Sequence, residues 1–319
     1  MGEELQRSDN TPPVFITGAD RSGNDYLRTL LSLSPSIHLS FESGIFREGW
    51  RLSKALPLTD RRSVDRLLDE MITAESATNR NMPLIQAIHD HRQHLRAVIL
   101  CYQNYGILVR EIYGLAFQKP VWGDKIPRID YAPLLREIWP EARFIMMVRD
   151  PRAVAASQRI NRGFSPRLAA GYWNTHFNTS VEFQRQFPDQ ICTVQYEQLV
   201  HEPQATLTAL LRFVGVPEQQ AEAILREKPP NTDSLAKWRQ QLSEADVYHV
   251  ERLTFAGMQK LGYVAEEAKS ASGFSGWRYL LSVLWYYRHY LLQPSKLVRE
   301  RAWYRLAHML RYSRDAKNE

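Results

Sequence analysis

Between two glycines, Gly18 and Gly23, lies a polar loop, Ala19-Asp20-Arg21-Ser22, that holds one cation, Arg21. The G-x-x-x-x-G spacing is that of a phosphate-cradling loop. Its backbone N–H groups, with the positive end of the helix that follows, suit an anion. A nucleotide triphosphatase would continue with Lys and Ser/Thr, to reach the β/γ-phosphates and to hold magnesium. Here those two positions are Asn24 and Asp25. The expected chemistry is anion binding without magnesium-dependent ATP hydrolysis; an ordinary glycine turn between strand and helix is the other reading the loop allows.

Three further groups could do chemistry. The apolar run 142–148 ends in Arg149, Pro151 stands where a helix should begin, and Ser157 lies two turns along it. An Arg at a strand end and a Ser on the next helix could hold a second anion; an Arg149-Asp150 pair capping the helix fits the same residues. Glu42 closes the alternating stretch 37–42. It is expected at the carboxyl end of a parallel strand beside the first, where ligands of open α/β sheets collect. A solvated surface Glu is the alternative. His91 and His94 are spaced as metal ligands on a helix, but no third ligand accompanies them and Arg92 and Arg96 intervene. A solvated helix face, and no metal, is expected there.

Positioning these groups requires alternating strands and helices. Residues 14–16 form a short apolar run, and Tyr26, Leu27, Leu30 and Leu31 recur at helical spacing. Residues 44–118 read as mostly helical, with Pro57 and Pro83 as breaks. Residues 120–128 read as a strand ending in a polar turn, 132–139 as a helix, and 142–148 as a strand buried on both faces. Helix 166–185, strand 191–195 leading into Tyr196, and helices 203–214 and 218–228 follow. Loop 229–239 comes next, then a helix over 246–261 closed by Gly262. This order predicts a P-loop-like three-layer α/β domain over residues 13–265, with a central parallel sheet and helices on both faces. Residues 1–12 are polar and expected to be disordered.

The whole chain of 319 residues is long enough for such a core, with 44% apolar and 24% charged residues. Two distant cysteines, Cys101 and Cys192, give neither a disulfide framework nor a zinc site. The first residues carry no basic and apolar leader pattern, so a cytoplasmic setting is expected. A net charge of +6 fits an anionic cofactor, an anionic substrate or a membrane surface; without a recognition motif, nucleic acid is not expected. Residues 274–319 are aromatic and basic, with nine Lys/Arg against three acidic residues from 275 on. A helical C-terminal extension is expected, lying on an anionic membrane surface or packing on the domain or a second subunit.

Four segments, in this order, resemble the sulfotransferases that use 3′-phosphoadenosine 5′-phosphosulfate (PAPS). They are Gly18 to Leu31, similar to the loop usually written PRSGTT; Trp122-Gly-Asp-Lys125-Ile-Pro-Arg; residues 142–157, with Arg149-Asp-Pro-Arg; and Val194-Gln-Tyr196-Glu-Gln-Leu-Val, with Lys237-Trp238-Arg239 further on. The Glu42 placement and the Lys237-Trp238 pair are most similar to the tyrosylprotein sulfotransferases and their bacterial relatives. The resemblance implies that Arg21, Ser22, Gly23 and Asn24, with Asp25 beside them, hold the 5′-phosphosulfate, and that Arg149 and Ser157 hold the 3′-phosphate. It implies Tyr196 near the adenine and residues 231–237, from Asn231 to Lys237, closing over the nucleotide. Glu42 would be the catalytic base, with Lys125 and Arg21 at the leaving group. The expected reaction is sulfuryl transfer to a hydroxyl of a peptide tyrosine, a glycan or a glycolipid. The alternative is a catalytically degenerate relative that binds the nucleotide as a scaffold. Asp20 departs from the family's Pro, Asn24-Asp25 from its Thr-Thr, and Asn161 from an Arg.

Overall fold

The computed structural model describes residues 11–77 and 80–266; the expectations for residues 1–10 and 274–319 lie outside the described residues. Five strands, β1 (Val14–Thr17), β2 (Ile37–Phe41), β3 (Val121–Lys125), β4 (Arg143–Val148) and β5 (Ile191–Gln195), form one parallel sheet in the order β2-β3-β1-β4-β5. The sequence placed β2 beside β1; instead β3 lies between them. Gly123 explains the fit of β3 against β1. It registers with Val14, and a Cβ there would meet the Val14 carbonyl at 1.8 Å.

Alternation along the central strands sends side chains to two separate cores, as a sheet covered on both faces requires. Val14, Ile16, Ile145 and Met147 face one core, shared with Leu27, Leu30 and Leu31 of α1 (Asn24–Ser32). Phe15, Phe144, Met146 and Val148 face the other. The second core is closed by helices from the long β2–β3 crossover: α2 (Glu48–Ala55), α3 (Arg61–Ser76), α4 (Met82–Asp90), α5 (Arg92–Tyr102) and α6 (Tyr105–Phe117). Pro57 does separate two of these helices. Pro83 lies in the first turn of α4, where its missing N–H costs nothing, so it starts a helix and breaks none.

After β3 come α7 (Ala132–Ile138), β4, α8 (Pro151–Arg162) and α9 (Pro166–Gln186). After β5 come α10 (Tyr196–His201), α11 (Pro203–Val214) and α12 (Gln220–Glu227), which cover the first core. A single turn at Thr232–Ser234, the short α13 (Trp238–Gln241) and α14 (Glu244–Lys260) complete the described chain. Helix α14 packs on α8 and α9. Among the described residues, no helix is long and apolar enough to cross a membrane.

Candidate active site

All five strands are parallel, so their carboxyl ends share one edge, and each delivers a candidate residue to it. Along that edge stand Glu42 after β2, Lys125 at the end of β3, the Gly18–Gly23 loop after β1, Arg149 after β4 and Tyr196 after β5. Backbone bonds join the neighbours: the Glu42 N–H donates to the Lys125 carbonyl at 3.1 Å, and the Ile126 N–H to the Ile16 carbonyl at 2.9 Å.

The loop turns through left-handed conformations at Arg21 (φ 74°) and Gly23 (φ 102°). At Gly23 a Cβ would meet the Tyr196 ring at 2.6 Å. Ser22 is buried, and its Oγ has no hydrogen-bond partner in the protein. Asn24 is turned inward, its amide donating to the carbonyls of Gly18 at 3.1 Å and Ala19 at 3.3 Å. That side chain therefore braces the loop. Asp25 is exposed in the first turn of α1, while Arg28 points to the Leu39 carbonyl at 3.3 Å and to the Phe41 ring. Asp20, which departs from the resembled pattern, is ion-paired with Arg162 at 3.1 Å, and its carbonyl accepts from Gln158 at 2.9 Å. Helix α8 thus ties down the loop and neutralises its added carboxylate.

The Arg21 Nε donates to Ser157 Oγ at 3.0 Å. Arg149 donates from Nη1 to the Arg21 carbonyl at 3.2 Å and from Nη2 to the Ser234 carbonyl at 2.6 Å. Its guanidinium lies over the Tyr196 ring at 4.6 Å, and its buried Nε has no partner in the protein. Arg21, Arg149, Ser157 and Tyr196 are therefore one cluster. The helix-capping alternative also resolves: Asp150 accepts from the Arg152 N–H at 2.8 Å and pairs with Arg152 at 2.7 Å, leaving Arg149 free of that duty. Asn161 reaches back to the Ser157 carbonyl at 2.7 Å.

In the loop over this cluster, the structure brings in a residue the sequence did not single out. The Ser234 Oγ is 2.8 Å from the Tyr196 hydroxyl. Asn231 is exposed, accepts from the Asp233 N–H at 2.9 Å, and Lys237 is exposed at the entry to α13. Behind Arg149, its carbonyl accepts from Trp173 Nε1 at 2.9 Å, and the Asp150 N–H donates to Glu197 at 3.0 Å. Burial pushes the Glu197 carboxyl up, against its bond from the Tyr263 hydroxyl at 2.6 Å. Arg152 is sandwiched, bonded to Glu251 at 2.7 Å and stacked over Trp238 at 4.3 Å. Only these short distances reveal the support, because its members come from α8, α9, α10, α13, α14 and the segment after α14.

At the other end of the edge, Glu42 and the buried Lys125 form an ion pair, and Lys125 lies over the Phe41 ring at 4.7 Å. Among the described residues, four non-glycine residues have positive φ: Arg21, Glu42, Gln103 and Gln118. The last two end helices α5 and α6, a usual place for that conformation. The other two are candidate catalytic groups. Such backbone costs on the order of 1–3 kcal/mol and persists where the surroundings over-determine it.

The surroundings of Glu42 do so. Asn81 brackets Phe41, accepting from its N–H at 3.2 Å and donating to its carbonyl at 3.3 Å. Ser43 donates its N–H to Asp124 at 3.1 Å and its hydroxyl to Glu75. Glu75, fully buried, also accepts from the Ile45 N–H at 3.2 Å and from Asn81 at 2.8 Å. Burial, reinforced by Glu75, holds the Asp124 carboxyl well above the usual carboxylate range. Beside Glu42 opens a cavity of about 350 Å³ lined by Phe46, Ile126, Pro127, Tyr131 and Leu135 on its walls.

His94 is bonded to Glu111 at 2.7 Å, and His91 stands at the entry to α5. Among the described residues, no group of three or more His, Cys, Asp or Glu is placed to hold a metal ion.

The chain is similar to known proteins in sequence and in fold. The chain is 25% identical over 265 residues to "Protein-tyrosine sulfotransferase 1" of Danio rerio, covering 71% of this chain and 65% of that protein. It is 23% identical over 288 residues to "Protein-tyrosine sulfotransferase A" of Caenorhabditis elegans, covering 79% and 67%. The chain thus spans about two thirds of the length of these relatives. In fold it is similar to the sulfotransferase domain of the Synechococcus PCC 7002 olefin synthase, at TM-score 0.51 and 22% identity, over 78% of this chain and 98% of that one. It is likewise similar to the sulfotransferase domain of the curacin biosynthetic pathway, at TM-score 0.51 and 17% identity, over 81% and 100%. The "Sulfotransferase family" model matches residues 12–220. That stretch holds Glu42, Lys125, Arg149, Ser157 and Tyr196, and the chain belongs to the sulfotransferase family.

Proposed function

We propose that the chain transfers a sulfuryl group from PAPS to an acceptor hydroxyl. The observation that carries this reading is the convergence of two arginines from different strand ends, Arg21 and Arg149, on Ser157 and Tyr196, with the Glu42–Lys125 pair on the same edge. The residues present fit the donor. Ser22 Oγ and Arg149 Nε are buried polar atoms with no protein partner, each in a place where an anion would satisfy it. The backbone N–H groups of the loop, with Arg21 and Ser22, would hold the 5′-phosphosulfate. Arg149 and Ser157 would hold the 3′-phosphate, with Tyr196 by the adenine and Ser234 completing the cover. Asn231 and Lys237 would join only after the 231–237 segment closes.

Bound there, PAPS supplies an activated sulfuryl group and leaves as 3′-phosphoadenosine 5′-phosphate (PAP). Sulfuryl transfer resembles phosphoryl transfer, so positioning and charge stabilisation carry most of the rate. The Glu42 carboxylate accepts the proton of the acceptor hydroxyl, a contribution of ~10²–10⁴-fold for a positioned base. Lys125 and Arg21 oppose the negative charge that develops at the departing oxygen. Lys125 stands beside Glu42, and Arg21 follows β1, the strand next to that of Lys125.

Titration calorimetry with PAP and transfer of labelled sulfur from PAPS to cell-extract fractions test the reading together. Absence of PAP binding rejects it. PAP binding without transfer to protein, lipid or polysaccharide favours the scaffold alternative. The relatives' names point to a peptide tyrosine as acceptor. Membrane contact through residues 274–319 is tested by liposome flotation with and without them, and equal flotation rejects it.

A further inference from the structure

The Arg21 side chain reaches out of its own loop. Its backbone is left-handed, φ 74°, where a non-glycine residue is uncommon. From there the side chain crosses to α8, and its Nε donates to Ser157 Oγ at 3.0 Å. Asn161 Nδ2 stands 3.4 Å from the same oxygen. Two donors thus approach the lone pairs of Ser157 Oγ, and what the hydroxyl has left to offer is its hydrogen. Among the described residues, the two terminal nitrogens of Arg21 have no hydrogen-bond or ion-pair partner. Arg149 donates to the Arg21 carbonyl at 3.2 Å, and its own buried Nε is unpartnered.

Charge narrows what these donors face. A 3′-phosphate is a monoester, with a charge of about −1.5 to −2 at pH 7, so one arginine leaves it partly uncompensated. Helix α8 carries two more cations close by, but both are engaged: Arg159 with Asp246 at 3.1 Å and Arg162 with Asp20 at 3.1 Å. Asn161 adds no charge, and Lys237 is exposed at the entry to α13. Arg21 is the cation beside Ser157 that keeps its terminal nitrogens open. It is also held at both ends, its carbonyl by Arg149 and its Nε by Ser157. A guanidinium fixed in this way presents its donors as a preset fork, which suits a phosphate.

We infer that Arg21 reads the 3′-phosphate of the nucleotide, its side chain aimed by Ser157 and joined there by Arg149, while its backbone stays in the loop of the 5′-phosphosulfate. The inference rests on the sulfuryl-transfer reading above and gives Arg21 a second role within it. Strand β1, which leads into Arg21, lies between β3 with Lys125 and β4 with Arg149. One residue therefore links the two ends of the nucleotide. Through it the chain selects a 3′,5′-bisphosphate over a 5′-monophosphate.

Titration calorimetry on the full chain tests this by comparing PAP with adenosine 5′-phosphate (AMP), which differs only in lacking the 3′-phosphate. Competition against PAP reads the weaker ligand. Wild type should prefer PAP at least about hundredfold, roughly tenfold for each of two charge-assisted contacts. Arg21→Gln removes the charge and should cut that preference at least about tenfold, because PAP loses a contact that AMP never had. Arg21→Gly, which accepts the left-handed backbone without strain, should cut it by as much. A loop that is merely disturbed weakens both nucleotides alike, so an unchanged ratio in the two variants overturns the inference. A wild-type preference below about tenfold overturns it as well, whether or not the variants fold. Absence of PAP binding removes the transferase reading and this inference together, whereas PAP binding with an unchanged ratio removes the inference alone.

Discussion

Arg21 Nε donates to Ser157 Oγ at 3.0 Å across 136 positions of sequence. One hydrogen bond therefore joins the loop after β1 to the helix after β4, and the two proposed anion cradles share a wall. Arg149, which donates to the Arg21 carbonyl, completes that wall.

Arg149→Ala should weaken PAP binding ten- to hundredfold, because it removes a charge-assisted contact worth roughly 1.5–3 kcal/mol. Calorimetry reads this directly. Unchanged affinity would take Arg149 out of the nucleotide site.

Glu42→Gln should leave PAP affinity unchanged and slow transfer by at least ~10²-fold, since an amide cannot take the acceptor proton. Single-turnover transfer from labelled PAPS separates this from slow product release. Wild-type rates in the variant would exclude Glu42 as the base.

Glu75 touches neither cradle, yet it anchors Ser43, Ile45 and Asn81 around Glu42. Glu75→Ala should cost about 1–3 kcal/mol of stability through the partners left unpaired. It should also lower kcat with little change in PAP affinity, because Glu42 loses its hold on the left-handed backbone. Glu75→Gln, which keeps one acceptor oxygen, should recover part of kcat. A loss of PAP affinity equal to the loss of kcat would show general disruption of the site.

His38, stacked on Phe117 at 3.4 Å, has its pKa pushed down to about 4 by burial and by the nearby Lys119 and Arg28. The folded state thus favours the neutral ring more than the unfolded chain does, where the value is near 6.5. Stability from this group is fully present above that value and is lost as pH falls through about 4. Urea denaturation over this interval should show a steeper acid loss for the wild type than for His38→Gln; identical slopes would refute the assignment.

Much of the site was legible because each chemical residue follows an apolar run. Val148-Arg149 and Phe41-Glu42 mark strand ends directly, and strand ends are where open α/β sheets gather their ligands. The motif positions Arg21, Ser157 and Tyr196 belong to one cluster for the same reason. Strand order was not legible: β2 was placed next to β1, whereas β3 intervenes. Nothing local to β2 selects its neighbour. The choice lies with Gly123, eighty-odd residues away, and with the five crossover helices.

The two sides of the site divide along the same line. Residue types and spacing determined a two-glycine loop without the Lys and Ser/Thr of a nucleotide triphosphatase, an arginine at a second strand end, and a carboxylate on the shared edge. Tertiary structure alone decided that Asn24 turns inward to its own loop, that Ser234 reaches Tyr196 while Asn231 and Lys237 do not, and that Asp124 keeps an unpaired oxygen beside Glu42. The reason is physical. A side chain's type fixes which bonds it can make, but which partners come within 3 Å depends on elements far apart in the chain, and those meet only when both cores close on the sheet.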